Sequence, residues 1–117
     1  MEIELLGGFG EKGRTSVGIR SGGSRIVLDA GIKVGAAGAE YYPVIGAVDD
    51  IDALFISHAH EDHIGALSWL LSRGYHGRIL MWVTKARRSS LANIAATLEN
   101  RRRATLRACA LRRAWQW

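Results

Sequence analysis

The sequence predicts an α/β fold: a mostly antiparallel sheet with one or two helices. Three observations carry this reading. Residues 2–6 and 14–20 alternate polar and apolar side chains, residues 24–30 and 52–57 are short apolar runs, and apolar residues then recur at helical spacing from Ile64. At 117 residues the chain is long enough for one modest domain and too short for two. With 48% hydrophobic and 23% charged residues it is neither disordered, collagen-like nor membrane-embedded in composition.

In chain order, "EIELL" and "RTSVGIR" read as strands, and "SGGS" is a hairpin signal leading into the strand "SRIVLDA". These three segments suit a meander. Residues 31–50 form a polar, glycine-bearing loop with the only proline, Pro43, and "DALFIS" is a buried strand. Ile64, Leu67, Leu70 and Leu71 then mark a helix of about ten residues, with Arg73 in its last turn and Gly74 as its stop. "RILMWVT" is the next strand, and Leu91, Ile94, Ala95 and Leu98 mark an amphipathic helix started by Ser89 or Ser90.

The net charge of +5 is unevenly placed. Residues 1–85 hold 8 Lys/Arg against 10 Asp/Glu, a net of −2, whereas residues 86–117 hold 8 Arg against Glu99 alone, a net of +7. All 14 glycines lie at or before Gly77, and from Ala86 onward the chain is mostly Ala, Arg and Leu. The expected division is therefore 1–85 as the folded part and 86–117 as an Arg/Ala-rich helical tail. Such a tail reads as a solvated basic helix, as a nucleic-acid-binding surface, or as a segment foreign to the fold that arose by truncation or a shifted reading frame; the last is preferred here. The acidic start and the lack of a membrane-length apolar run lead to a cytoplasmic expectation. Cys109, the single cysteine, receives no role.

Residues 8–13, "GFGEKG", match G-x-G-x-x-G, with Asp29 about twenty residues on. Dinucleotide binding needs a helix after the third glycine, and the strand-like "RTSVGIR" stands there instead. A tight turn is the simpler reading. Its free amides, with Lys12 and Arg14 beside them, suit an anionic substrate.

"ISHAHEDHIG" carries the strongest signal, H-x-H-x-D-H at His58, His60, Asp62 and His63. Random placement of the available residues would produce it on the order of twice in ten thousand such chains, so chance is a poor account. On extended backbone leaving a strand, residues two apart face the same side, so His58 and His60 can converge on one ion. Asp62 and His63 follow as the chain turns into the helix and serve a neighbouring ion, while the helix's positive end favours a bound hydroxide. Zinc suits imidazole and carboxylate donors and brings bound water to a pKa of about 7. His76, alone in a loop, reads as solvent-exposed.

The pattern resembles the metallo-β-lactamase superfamily, closest to its β-CASP, ribonuclease J-like RNA-processing branch. "LLGGFGEKGRTSVGI" is similar to that group's first strand and glycine turn, "RIVLDAGIK" to its aspartate-bearing strand, "ISHAHEDHIGALSWLL" to its metal loop and helix, and "GRILMWVTKA" to the strand that follows. The resemblance implies the N-terminal half of an αββα sandwich, with His58 and His60 on one zinc, Asp62 and His63 on a second, Asp62 doubling as a proton acceptor, and Asp29 orienting the metal loop. Ser68 stands where the family usually has proline. The resemblance runs to about Lys85, fades through residues 89–100 and stops there, so the family's later histidine and aspartate motifs are absent. A complete two-zinc site wants about six donor positions, of which four are here.

The resulting expectation is a fragment of a zinc-dependent hydrolase of RNA phosphodiesters, inactive alone, unless a symmetric partner chain completes the site. A small ester, thioester or lactam substrate is the rival within the superfamily. A non-catalytic chain that binds RNA or a partner through its basic tail is the rival outside it, marked by salt-dependent binding that survives His58→Ala.

Overall fold

The structure, a computed structural model, describes residues 1–81. The expected helical tail, Cys109, Glu99 and the end of the expected strand "RILMWVT" lie outside them. Five strands form one sheet in sequence order: β1 (Glu2–Gly7), β2 (Ser16–Ser21), β3 (Ser24–Leu28), β4 (Ala53–Ile56) and β5 (Arg78–Met81). The β1–β2–β3 meander is antiparallel as expected, and the β2–β3 turn places Gly22 and Gly23 both at positive φ, the requirement of a two-residue hairpin that matches strand twist.

The sheet is evenly mixed rather than mostly antiparallel, because β3–β4 and β4–β5 pair in parallel. Parallel neighbours need long crossovers. Residues 29–52 supply the first with only a short 3-10 turn, Gly38–Glu40, and the second carries two short helices, α1 (Glu61–Ile64) and α2 (Leu67–Ser72). The loop expected to be polar, residues 31–50, places Ile32, Ile45 and Val48 in the core, and Ile51 follows them there.

The single helix expected after the histidines is broken in two, and the hydrogen bonds show why. In a continuous helix the Asp62 carbonyl would accept from Ala66. Here it accepts from the Thr15 amide (2.9 Å), and Ala66 donates to the Ala30 carbonyl (2.8 Å). The His63 carbonyl likewise accepts from Ala30 (2.8 Å) and the Glu61 carbonyl from Ile32 (3.0 Å) as well as from Gly65 (2.9 Å). Tertiary backbone bonds have replaced helical ones.

The sheet's two faces differ sharply. On one, Val27, Leu54 and Ile79 stand in register and form the core with Leu67, Leu70, Ile45 and Tyr75. On the other, Leu5, Val17, Leu28, Phe55 and Leu80 make a continuous row across all five strands. That row is only partly covered, with Leu5 65% and Phe55 40% exposed.

Arg25 is buried near the start of β3. Its Nε donates to Glu4 Oε2 (2.9 Å), Nη1 to Asp50 Oδ1 (2.8 Å) and the Ala47 carbonyl (3.0 Å), and Nη2 to the Ile45 carbonyl (2.8 Å). Glu4 reaches it by lying over Gly18, where a β-carbon would collide with the carboxylate. This knot fastens the first crossover to the sheet.

Candidate metal centre

The candidate site lies where β3 and β4 end side by side. Asp29 follows β3, Ser57 and His58 follow β4, and α1 brings Asp62 and His63 back over them. Gly31 lets the two segments meet, since a β-carbon there would strike the Asp62 carbonyl. Gly65 is constrained in the same way by Ile32 and the Glu61 carbonyl. Glycine is thus required at both positions for close backbone approach.

Asp29 is buried and sits at φ 60°, a conformation unusual outside glycine that Asp and Asn tolerate best. Oδ1 accepts from the Ser57 amide (2.7 Å), and Oδ2 contacts both Ser57 Oγ (2.8 Å) and His63 Nδ1 (2.8 Å). The carboxylate therefore touches the histidine loop at three donors. Ser16 Oγ donates to the Asp29 carbonyl (2.9 Å), which fixes the same residue from behind.

The three imidazoles of the motif gather. His58 Nε2 lies 3.0 Å from His60 Nδ1, and the His58 ring centroid is 4.6 Å from that of His60 and 4.0 Å from that of His63. Asp62 Oδ2 is 3.7 Å from His63 Nε2. Burial is the main force holding the His58 imidazole below the usual histidine range, and the neighbouring His63 and His60 add to it. A ring kept neutral offers a lone pair.

The donor types fit a divalent ion of the zinc kind, which takes imidazole and carboxylate. Two nitrogens that each reach about 2.0–2.1 Å to one ion must lie within about 4.2 Å of each other, and the His58–His60 pair meets that condition. The set is incomplete, however. The four motif side chains meet pairwise, and among the described residues no group of three or more His, Cys, Asp or Glu is placed to hold an ion.

A cleft of about 570 Å3 opens beside the site, lined by Lys12, Gly13, Ile32, Lys33, Val34, His60, Glu61 and Asp62. Lys12 thus stands at the cleft. Arg14 does not line it: its Nε donates to Glu11 Oε1, and Nη1 reaches the carbonyls of Tyr42 (3.2 Å) and Ala39 (3.4 Å). The positive helix end invoked for hydroxide binding is also reduced, because α1 is a single turn and the macrodipole needs length. His76 is exposed, with Nδ1 3.0 Å from the Gly74 carbonyl. Ser57 was missed by sequence reasoning. Its position between the strand and the first histidine was the available signal.

The glycine turn of residues 8–13 has Gly8, Gly10 and Gly13 at positive φ and leads to β2 rather than to a helix, which removes the dinucleotide reading. Comparison with known proteins points elsewhere. The chain is 40% identical over 84 residues to cleavage and polyadenylation specificity factor 73 of Drosophila melanogaster, covering 69% of this chain and 12% of that protein. It is 39% identical to the transcription termination factor FttA of Cenarchaeum symbiosum, covering 68% and 13%, and 44% identical to the probable RNase MJ4 of Methanocaldococcus jannaschii, covering 62% and 17%. The chain therefore spans less than a fifth of the length of these relatives. The metallo-beta-lactamase superfamily matches residues 10–88, more than half of the chain and all of the strand-end cluster just described, and the chain belongs to that superfamily.

Proposed function

We propose that the chain carries the first half of the metal site of a zinc-dependent phosphodiesterase acting on RNA. The observation that supports this most is the approach of His58 Nε2 to His60 Nδ1 beside a His63 tethered to Asp29. The names of the relatives favour RNA over a small ester, thioester or lactam.

Zinc, when bound, supplies a water acidified to a pKa of about 7 and stabilises charge on phosphate oxygens. The chain's own residues do the rest. His58 and His60 would hold one ion, and Asp62 and His63 a second, the remaining donors coming from sequence beyond the motif or from a partner copy. Asp29 Oδ2 takes the proton of His63 Nδ1 in a hydrogen bond, so His63 Nε2 keeps its lone pair facing Asp62. Asp62, 40% exposed in its side chain, is open enough to accept a proton from water. Lys12, at the rim of the cleft, is placed to attract a phosphate group. The proposed setting is the cytoplasm.

The test is zinc content and hydrolysis measured on chelator-washed protein. The expected result is weak zinc binding that His58→Ala or His60→Ala abolishes, with no turnover of an RNA oligonucleotide or a thioester by this chain alone. Zinc binding indifferent to both substitutions would sink the reading. Translation of the downstream nucleotide sequence in all three frames should recover the missing histidine and aspartate motifs.

A further inference from the structure

Ser57 has a single hydroxyl proton and three polar atoms around its Oγ: Asp29 Oδ2 at 2.8 Å, His58 Nδ1 at 2.9 Å and His63 Nδ1 at 3.4 Å. A carboxylate can only accept, so at 2.8 Å the Ser57 proton must point to Asp29. Oγ then has only lone pairs left for His58, and the 2.9 Å contact is made by a proton on His58 Nδ1. With Nδ1 protonated, a neutral His58 carries its lone pair on Nε2, the atom that faces His60.

We propose that Ser57 is a positioning residue that sets the His58 tautomer by relaying the Asp29 carboxylate to it. One aspartate thereby fixes two imidazoles: His63 by direct contact and His58 through the serine hydroxyl. The hydrogen bonds run in one direction, from His60 Nδ1 to His58 Nε2, from His58 Nδ1 to Ser57 Oγ, and from Ser57 to Asp29. The Ser57 amide, donating to Asp29 Oδ1 at 2.7 Å, holds the serine in place whatever its side chain. Removing the hydroxyl therefore interrupts the relay and leaves its backbone anchor intact. The inference extends the metal-site reading, but its central consequence belongs to the protein without metal.

The experiment is nitrogen-15 NMR of the histidine rings in metal-free protein at a pH where they are neutral, on the natural chain, Ser57→Ala and Ser57→Thr. The natural chain should show His58 and His63 both protonated at Nδ1. Ser57→Ala should move the His58 proton toward Nε2 while His63 stays unchanged, and Ser57→Thr, which keeps the hydroxyl, should restore the natural pattern. The unchanged His63 signal and the threonine rescue separate a lost relay from a damaged fold. A natural chain with His58 protonated at Nε2, or an alanine variant with His58 still protonated at Nδ1, overturns the proposal. Zinc affinity by chelator competition should fall about 10–100-fold in Ser57→Ala and recover in Ser57→Thr. If the natural chain binds no zinc, the metal-site reading fails there, while the tautomer result still decides the role of Ser57.

Discussion

Strand β3 carries a buried charge near each end, and the two are used differently. Arg25, near its start, is surrounded by groups that complete it: two carboxylates and two carbonyls, all provided by β1 and the first crossover. Asp29, just past its end, is surrounded by donors of the histidine loop, two of which lead onward: Ser57 Oγ to His58 Nδ1, and His63, through Nε2, to Asp62. One charge closes a structure, and the other transmits orientation. Burial is common to both charges; what differs is where their partners lead.

The largest expected effect tests the closed end. Arg25→Ala should cost on the order of 3 kcal/mol in urea unfolding, because Glu4 and the Ile45 and Ala47 carbonyls lose their donor. The His58 and His63 ring signals of the remaining folded protein should be unaltered. Gly31→Ala should cost about 1–3 kcal/mol and speed amide exchange at Thr15 and Ala30, whose acceptors belong to the displaced turn. Asp29→Ala should lower zinc affinity about 10–100-fold, which chelator competition reads directly. If it instead unfolds the chain as Arg25→Ala does, the two ends are not different in kind.

Acid should also separate the ends. Hydrogen bonds from Arg20 chiefly, with Arg25 adding, hold Glu4 and Asp50 below their ordinary values of 4.5 and 3.8. Their folded-state values are depressed, so their contribution is present above those values and lost as pH falls below about 4.5. The depressed His58 begins to cost stability earlier, below its ordinary 6.5, since the unfolded chain takes up that proton first. Unfolding midpoints against pH should show two windows, with Glu4→Gln flattening the lower and His58→Gln the upper. The smallest effect belongs to Arg20→Ala, a slight fall in the urea midpoint, because Arg20 is 39% exposed in its side chain and solvent screens its ion pairs.

Much of this was legible in the sequence because it rests on local chemistry. Alternation marked the first two meander strands and a short apolar run the third, Gly22-Gly23 marked the hairpin, and the histidine motif marked the place where the three imidazoles gather. What was not legible is non-local. Nothing near Asp62 indicates that Thr15 will take its carbonyl, so a helix expected to run unbroken is split. Ile45, Val48 and Ile51 lie in a stretch with no period to announce burial, and Arg14 beside a cleft-lining lysine is drawn off by Glu11. Ser57 is an ordinary residue until Asp29, 28 positions earlier, stands next to it.

The parallel pairing of β3 with β4 bridges a 24-residue crossover, residues 29–52, with no regular helix to guide it. Contacts so distant along the chain are slow to form, because closure entropy is met before any contact repays it. Asp29 and Ser57 become neighbours only when that pairing is made. Site assembly is therefore a late kinetic event: the hairpin can form early and fast, but an imidazole cluster with fixed protons belongs only to molecules that have completed the slowest strand docking.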